Sequence, residues 1–83
     1  MKWKGNGKEY YDNGTLKFEG KYLNGKRNDK GKQYYYDGKL EFEGEYLNGK
    51  KWIGKEYNDN GKLIFEGEYL NGEMWNGQIK KLL

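Results

Sequence analysis

The side chains best placed to do chemistry in this sequence are carboxylates: Glu41, Glu43 and Glu45 in LEFEGEYL, and Glu66 and Glu68 in IFEGEYL. Two carboxylates held apart in a cleft can perform glycosidase-type acid/base work. These five, however, recur at every second position, the spacing that sets residues on one face of a strand, and that face is expected to meet water. The same alternation supplies no looped cluster of oxygen ligands for a hard cation. Composition closes the other routes. There is no Cys, His or Ser, and Thr15 is the one hydroxyl besides tyrosine, so the usual nucleophiles and general bases are missing. Disulfides and thiolate metal sites are excluded with them. The sequence reads as non-enzymatic, with no catalytic, cofactor-binding or metal-binding residue.

What remains is binding, and the residues for it are aromatic. Nine Tyr, three Phe and three Trp stand in 83 residues whose hydrophobic fraction, 34%, is otherwise too low to drive folding with ease. Each ring can cover on the order of 150–250 Å², and Tyr and Trp keep a polar tip for water. The net charge of +3 is spread along the chain and reads as a solvated surface. No apolar run approaches ~18 residues, and MKWKGNGK lacks a hydrophobic signal core, so the expected location is cytoplasmic.

The elements that must position these rings are written as a repeat. FEGEYLNG occurs at Phe42 to Gly49 and again at Phe65 to Gly72, with FEGKYLNG at Phe18 to Gly25. Aligned on Gly7, Gly31, Gly54 and Gly77, the units are 24, 23 and 23 residues long. Such a period implies small units that shelter one another's apolar faces. The chain is therefore expected to be one array over residues 1–83, with repeats near 7–30, 31–53 and 54–76 and partial caps at 1–6 and 77–83. Within each unit the hydrophobic period is two: Leu16, Phe18, Gly20 and Tyr22 alternate with charged residues, as do Leu40, Phe42, Gly44 and Tyr46. Leu63, Phe65, Gly67 and Tyr69 repeat the pattern.

Between these strands stand Asn13-Gly14, Asn24-Gly25, Asp37-Gly38, Asn48-Gly49, Asn60-Gly61 and Asn71-Gly72, pairs suited to the positive φ of tight hairpin turns. The fold class is all-β, an antiparallel hairpin meander. A three-residue loop at Asp12-Asn13-Gly14 sets Tyr10 opposite Leu16, and the same choice sets Tyr34 opposite Leu40 and Tyr57 opposite Leu63. It also places Glu9 across from Lys17. Tyr10, Tyr34 and Tyr57 are expected to join Leu16, Leu40, Leu63, Phe18, Phe42 and Phe65 as ribs of one packed face. Leu23, Leu47 and Leu70 form a narrower row on the other.

With Phe18, Gly20, Tyr22, Asn24, Gly25, Gly31 and Gly38 in place, the chain resembles the MORN (membrane occupation and recognition nexus) repeats. Phe42, Gly44, Tyr46, Asn48, Gly49, Gly54 and Gly61 carry the pattern again, and Phe65, Gly67, Tyr69, Asn71, Gly72 and Gly77 begin it a third time. The YYxNGKL-type hairpins are similar to the bacterial variant of the repeat. The chain departs from the family where a further glycine is common: Asp29 holds that place in the first unit, and Trp52 displaces it in the second. The resemblance implies a scaffold that ties assemblies to membranes or cytoskeleton.

A single sheet with no helix to lay upon it leaves its aromatic face to be covered by twist, by lysine stems or by a partner. The interaction candidates are Trp3, Trp52 and Trp75 at the unit junctions, with Tyr22, Tyr46, Tyr69, Phe18, Phe42 and Phe65 in the strands. The expected partner is another protein or a second copy, giving a homo-oligomer. Lysines such as Lys8, Lys21, Lys32 and Lys55 offer the alternative of anionic phospholipid headgroups. Single-stranded nucleic acid is disfavoured, because the acidic run in the second and third units interrupts a basic track.

Overall fold

The computed structural model describes residues 4–79. Seven strands follow in chain order: β1 (Lys4–Tyr10), β2 (Leu16–Leu23), β3 (Lys26–Tyr34), β4 (Leu40–Leu47), β5 (Lys50–Tyr57), β6 (Leu63–Leu70) and β7 (Glu73–Ile79). They form one antiparallel sheet in that same order, each strand beside its sequence neighbours. The molecule measures 48 × 31 × 15 Å, the thickness of a single layer. Trp3 and the terminal residues 80–83 lie outside the described residues.

Two turn chemistries alternate along the meander. Asn24-Gly25, Asn48-Gly49 and Asn71-Gly72 close two-residue loops with both residues at positive φ (52° and 80° at the first), the geometry that matches strand twist. The other loops have three residues. Tyr11 N–H donates to Thr15 O at 2.8 Å and Gly14 N–H to Tyr11 O at 3.0 Å, with Gly14 at φ 88°. The expected pairs Tyr10–Leu16, Tyr34–Leu40 and Tyr57–Leu63 are all present.

One step further in, the ladder differs from the expectation. A bulge follows each of these pairs, so Glu9 lies opposite Phe18 and not Lys17. Tyr34 and Tyr57 are thereby turned away from the phenylalanines: their hydroxyls donate to Glu19 and Glu43, at 2.8 Å each, on the other face of the sheet. Tyr10 is 58% exposed. The nine expected ribs thus do not share one face, because an extra residue in one strand inverts the alternation beyond it.

Seven glycines meet in one row across the whole sheet, Gly7–Gly20–Gly31–Gly44–Gly54–Gly67–Gly77. At several of these positions a ring edge occupies the place of a β-carbon. A β-carbon on Gly31 would fall 2.6 Å from Phe18, and one on Gly54 2.7 Å from Phe42. Phe18, Phe42, Tyr46, Phe65 and Tyr69 are buried on this shelf, with Tyr22 packed beside them. Six rings run as Tyr22–Phe18–Tyr46–Phe42–Tyr69–Phe65, each edge-on to the next at centroid distances from 5.1 to 5.6 Å. This edge-to-face order satisfies the ring quadrupoles and adds roughly 0.5–1.5 kcal/mol per pair beyond burial.

Candidate functional site

The aromatic face is closed by the chain itself. Each ring tyrosine finds an acceptor thirteen residues earlier: Tyr22 donates to Glu9 at 2.6 Å, Tyr46 to Gln33 at 3.1 Å and Tyr69 to Glu56 at 3.0 Å. Two cations lie over the row. The Arg27 guanidinium is 4.2 Å from the Phe18 centroid and 5.5 Å from that of Tyr46; Lys51 Nζ is 4.8 Å from Phe42 and 5.7 Å from Tyr69. Their charges are answered in place, Arg27 by both oxygens of Glu9 and by Gln33, Lys51 by Glu56 at 3.1 Å. Met74 stands opposite Tyr69 where Arg27 and Lys51 stand opposite Tyr22 and Tyr46.

Desolvation governs the ionisation of this face. Burial, then the neighbouring Glu9, pushes Tyr22 up to about 12. Burial raises Tyr46 and Tyr69 further still. Glu9 is held below the usual carboxylate range, first by the hydrogen bond from Arg27. These groups stay in one protonation state through the neutral range, as structural groups do.

Placed in the structure, the sequence candidates divide. Phe18, Phe42, Phe65, Tyr46 and Tyr69 are buried and Tyr22 is half-buried, so they form the core and are withheld from a partner. The expectation of an aromatic face left for a partner to cover is corrected accordingly, since two cations and three tyrosine–acceptor pairs cover it. Trp52 and Trp75 are 46% and 62% exposed. Each is an inserted residue at a bulge, Trp52 between the pairs Tyr46–Lys51 and Glu45–Ile53, Trp75 between Tyr69–Met74 and Glu68–Asn76. Near them Leu47 and Leu70 are also more than half exposed. Trp52 and Leu47 line one shallow depression with Lys21 and Glu45. The extra length of the first unit is absorbed in the same place: Asp29, at φ 68°, sits in the wider bulge between Arg27 and Gly31, doing with an L-residue what a glycine does more cheaply.

Sequence reasoning allowed lysine stems as a cover but did not identify Arg27 and Lys51 above the rings or Glu9, Gln33 and Glu56 as acceptors. The signal for it was present, as a basic residue two positions after Asn-Gly in two units and the recurrence of Gly-Lys-Glu/Gln.

The opposite face is a different surface. Beside the glycine row runs a line of alternating charge, Lys8–Glu19–Lys32–Glu43–Lys55–Glu66, each residue directly across from the next. On the row's other side Lys21 and Lys30 lie in β2 and β3, Glu45 and Glu68 in β4 and β6. The bare glycine backbone between the two lines is the floor of an open trough of about 1090 Å³. Among the described residues, the ion pairs within 4 Å are Arg27–Glu9, Lys39–Asp37 and Lys51–Glu56, and none draws on these lines. The five glutamates singled out as possible acids are spread over this arrangement and not gathered: Glu43 holds Tyr57, Glu41 accepts from Gln33 across the bulge, and Glu68 accepts from Asn76. No group of three or more potential metal ligands forms among the described residues.

Comparison with known proteins agrees with the geometry. No curated protein and no solved structure matches the chain. A family model described as the MORN repeat variant matches three times, at residues 4–24, 30–48 and 53–71. The first match spans β1, a three-residue loop and β2; the second and third begin within β3 and β5 and run through the next loop and even strand, so each holds one glycine pair and one Phe–Tyr pair of the sheet. Built as three such units in one continuous β-repeat scaffold, the chain belongs to the MORN repeat variant family.

Proposed function

We propose that this array is a non-enzymatic scaffold that joins proteins, a second copy of itself included, through the charged face and its apolar margin. The observation that carries the reading is the exposure of Trp52 and Trp75, at equivalent bulges of successive repeats, beside Leu47 and Leu70. The chain closes its Phe–Tyr row with its own cations yet leaves its largest rings in water. Trp is the residue most enriched where interfaces concentrate their energy.

One observation favours a second reading. Lys8, Lys21, Lys30 and Lys32 gather in β1 to β3 against a single glutamate of the same face, Glu19, a patch that suits anionic lipid headgroups. Light scattering behind size exclusion, over a wide concentration range, separates the two. A mass above that of the monomer, reduced by Trp52→Ala or Trp75→Ala, is the expected result. A monomer at every concentration that pellets with phosphatidylserine vesicles at low salt, and is released by added salt, would replace protein docking with the lipid reading.

A further inference from the structure

The charged face is not uniform along the sheet. In β1 to β3 the lysines outnumber Glu19; in β4 to β6 Glu43, Glu45, Glu66 and Glu68 outnumber Lys55. One half is basic and the other acidic. Resting on the docking role proposed above, we infer that the occupant of this face is a second copy of the chain, laid face to face about a two-fold axis that runs parallel to the strands between β3 and β4.

Charge selects that axis. A two-fold along the glycine row would lay the basic half on the basic half. A two-fold parallel to the strands reverses the strand order, so the basic half meets the acidic one. Its position is then set by the alternating line. An axis through β4 would put Glu43 on Glu43 and Lys32 on Lys55, like upon like. Moved to lie between β3 and β4, it sets β3 over β4, β2 over β5 and β1 over β6 of the second copy. Every residue of the line then meets its opposite: Lys32 meets Glu43, Glu19 meets Lys55 and Lys8 meets Glu66. In the second line Lys30 meets Glu45. The rest of that second line is not charge-matched, since Lys21 meets Ile53 and Glu68 meets Asn6, so the register is set by the alternating line.

Size and spacing are compatible with this arrangement. The face is 48 × 31 Å, so six overlapping strands offer more than the ~800 Å² per partner of an ordinary specific interface. Facing sheets pack ~10 Å apart, a gap that a lysine and a glutamate span together. The glycine lane leaves the trough unobstructed, and Ile53 on β5, with Trp52 next to it, comes over the aliphatic stem of Lys21 on β2 of the second copy. Charges of this exposed kind set partner and register more than affinity, while the apolar contact supplies the affinity.

The test is a charge exchange read by sedimentation velocity. Lys30→Glu makes the central contacts acid on acid, and Glu45→Lys makes them base on base. Each variant alone should lose dimer affinity by about tenfold or more, because attraction becomes repulsion at two symmetric contacts. An equimolar mixture of the two should recover the wild-type dimer, and raising salt should weaken the wild type. Thermal unfolding followed by circular dichroism at high salt verifies that both variants are folded. A mixture no heavier than its components overturns the inference. So does a wild-type dimer that Trp52→Ala dissolves and neither charge change touches, an outcome that leaves the docking role standing. A wild type that stays monomeric and binds phosphatidylserine vesicles overturns both.

Discussion

Adding one carbon to Gly31 tests the idea that the glycine row exists to seat the rings. A β-carbon there would lie 2.6 and 2.7 Å from two atoms of the Phe18 ring and 3.2 Å from Tyr46. Carbon atoms rest at ~3.5–4.0 Å, so the Phe18 ring must retreat by about 1 Å. It has no room. Tyr22 and Tyr46 meet it at 5.6 and 5.1 Å between centroids, and the Arg27 guanidinium lies 4.2 Å above. Overpacking of this kind costs ~1–3 kcal/mol, and the stiffer unfolded chain of an alanine variant returns ~0.4–1. Gly31→Ala should therefore destabilise by about 1–2 kcal/mol, a sizeable share of the ~4–12 kcal/mol usual for this chain length. Urea denaturation followed by circular dichroism measures it. The decisive comparison is Gly31→Ala in a Phe18→Leu background, where the obstructing ring edge is gone and the substitution should turn neutral or slightly stabilising. If the two changes instead add within ~0.3–0.5 kcal/mol, the ring is not what Gly31 accommodates and the reasoning fails.

Three further outcomes are expected. Asp29→Gly should stabilise by about 0.5 kcal/mol, since relief of the left-handed conformation at φ 68° outweighs the added freedom of the unfolded chain; a lower urea midpoint would contradict this. Burial pushes Tyr22, Tyr34 and Tyr57 up to about 12 from the ordinary 10.0. A raised folded value means that the stability these phenols contribute is complete below pH 10.0 and is lost as pH rises toward 12, so urea midpoints should hold and then fall across that window. Phenolate absorbance from these three should appear together with unfolding, and their ionising at pH 10.0 in the folded protein would refute it. Arg27→Met keeps a cover on Phe18 but removes the cation paired with Glu9, leaving it the Tyr22 hydroxyl. Because the Glu9 carboxyl is lowered in the folded state, its contribution is present above its unfolded value of 4.5 and lost as pH falls through the folded one. The variant should lose about 1 kcal/mol at neutral pH, a figure discounted because Glu9 is 37% exposed, and its stability should fall less steeply below pH 4.5 than that of the wild type. Equal slopes in paired urea titrations would separate Glu9 from Arg27.

The parts of this fold that are local could be read before any coordinates. Asn-Gly carries its turn geometry in two residues, and Leu16-Lys17-Phe18-Glu19 carries strand alternation in four. The loop at Asp12-Asn13-Gly14 follows from the requirement that one register serve all three units. The placement of Tyr34 and Tyr57 does not follow in this way, because a bulge is an event between two strands and neither strand announces it alone. The same is true of Trp52 and Trp75. In the sequence they stand out as large rings near junctions, and in the sheet they are the residues for which the facing strand has no partner.

The sequence by itself determined an antiparallel hairpin meander of repeated units and the position of its turns. Those features follow from φ preferences and a two-residue period, both of which act within a few residues of chain. Tertiary structure decided which face closes. Arg27 reaches Glu9 and Phe18 across neighbouring strands, and Tyr46 finds Gln33 thirteen residues back, contacts that exist only once the bulges have set the register. By placing two cations and three acceptors on the Phe–Tyr row, the fold leaves Lys30, Lys32, Glu43 and Glu45 without ion partners among the described residues on the other side. The surface available to a partner is thus set by which charges the core has already used.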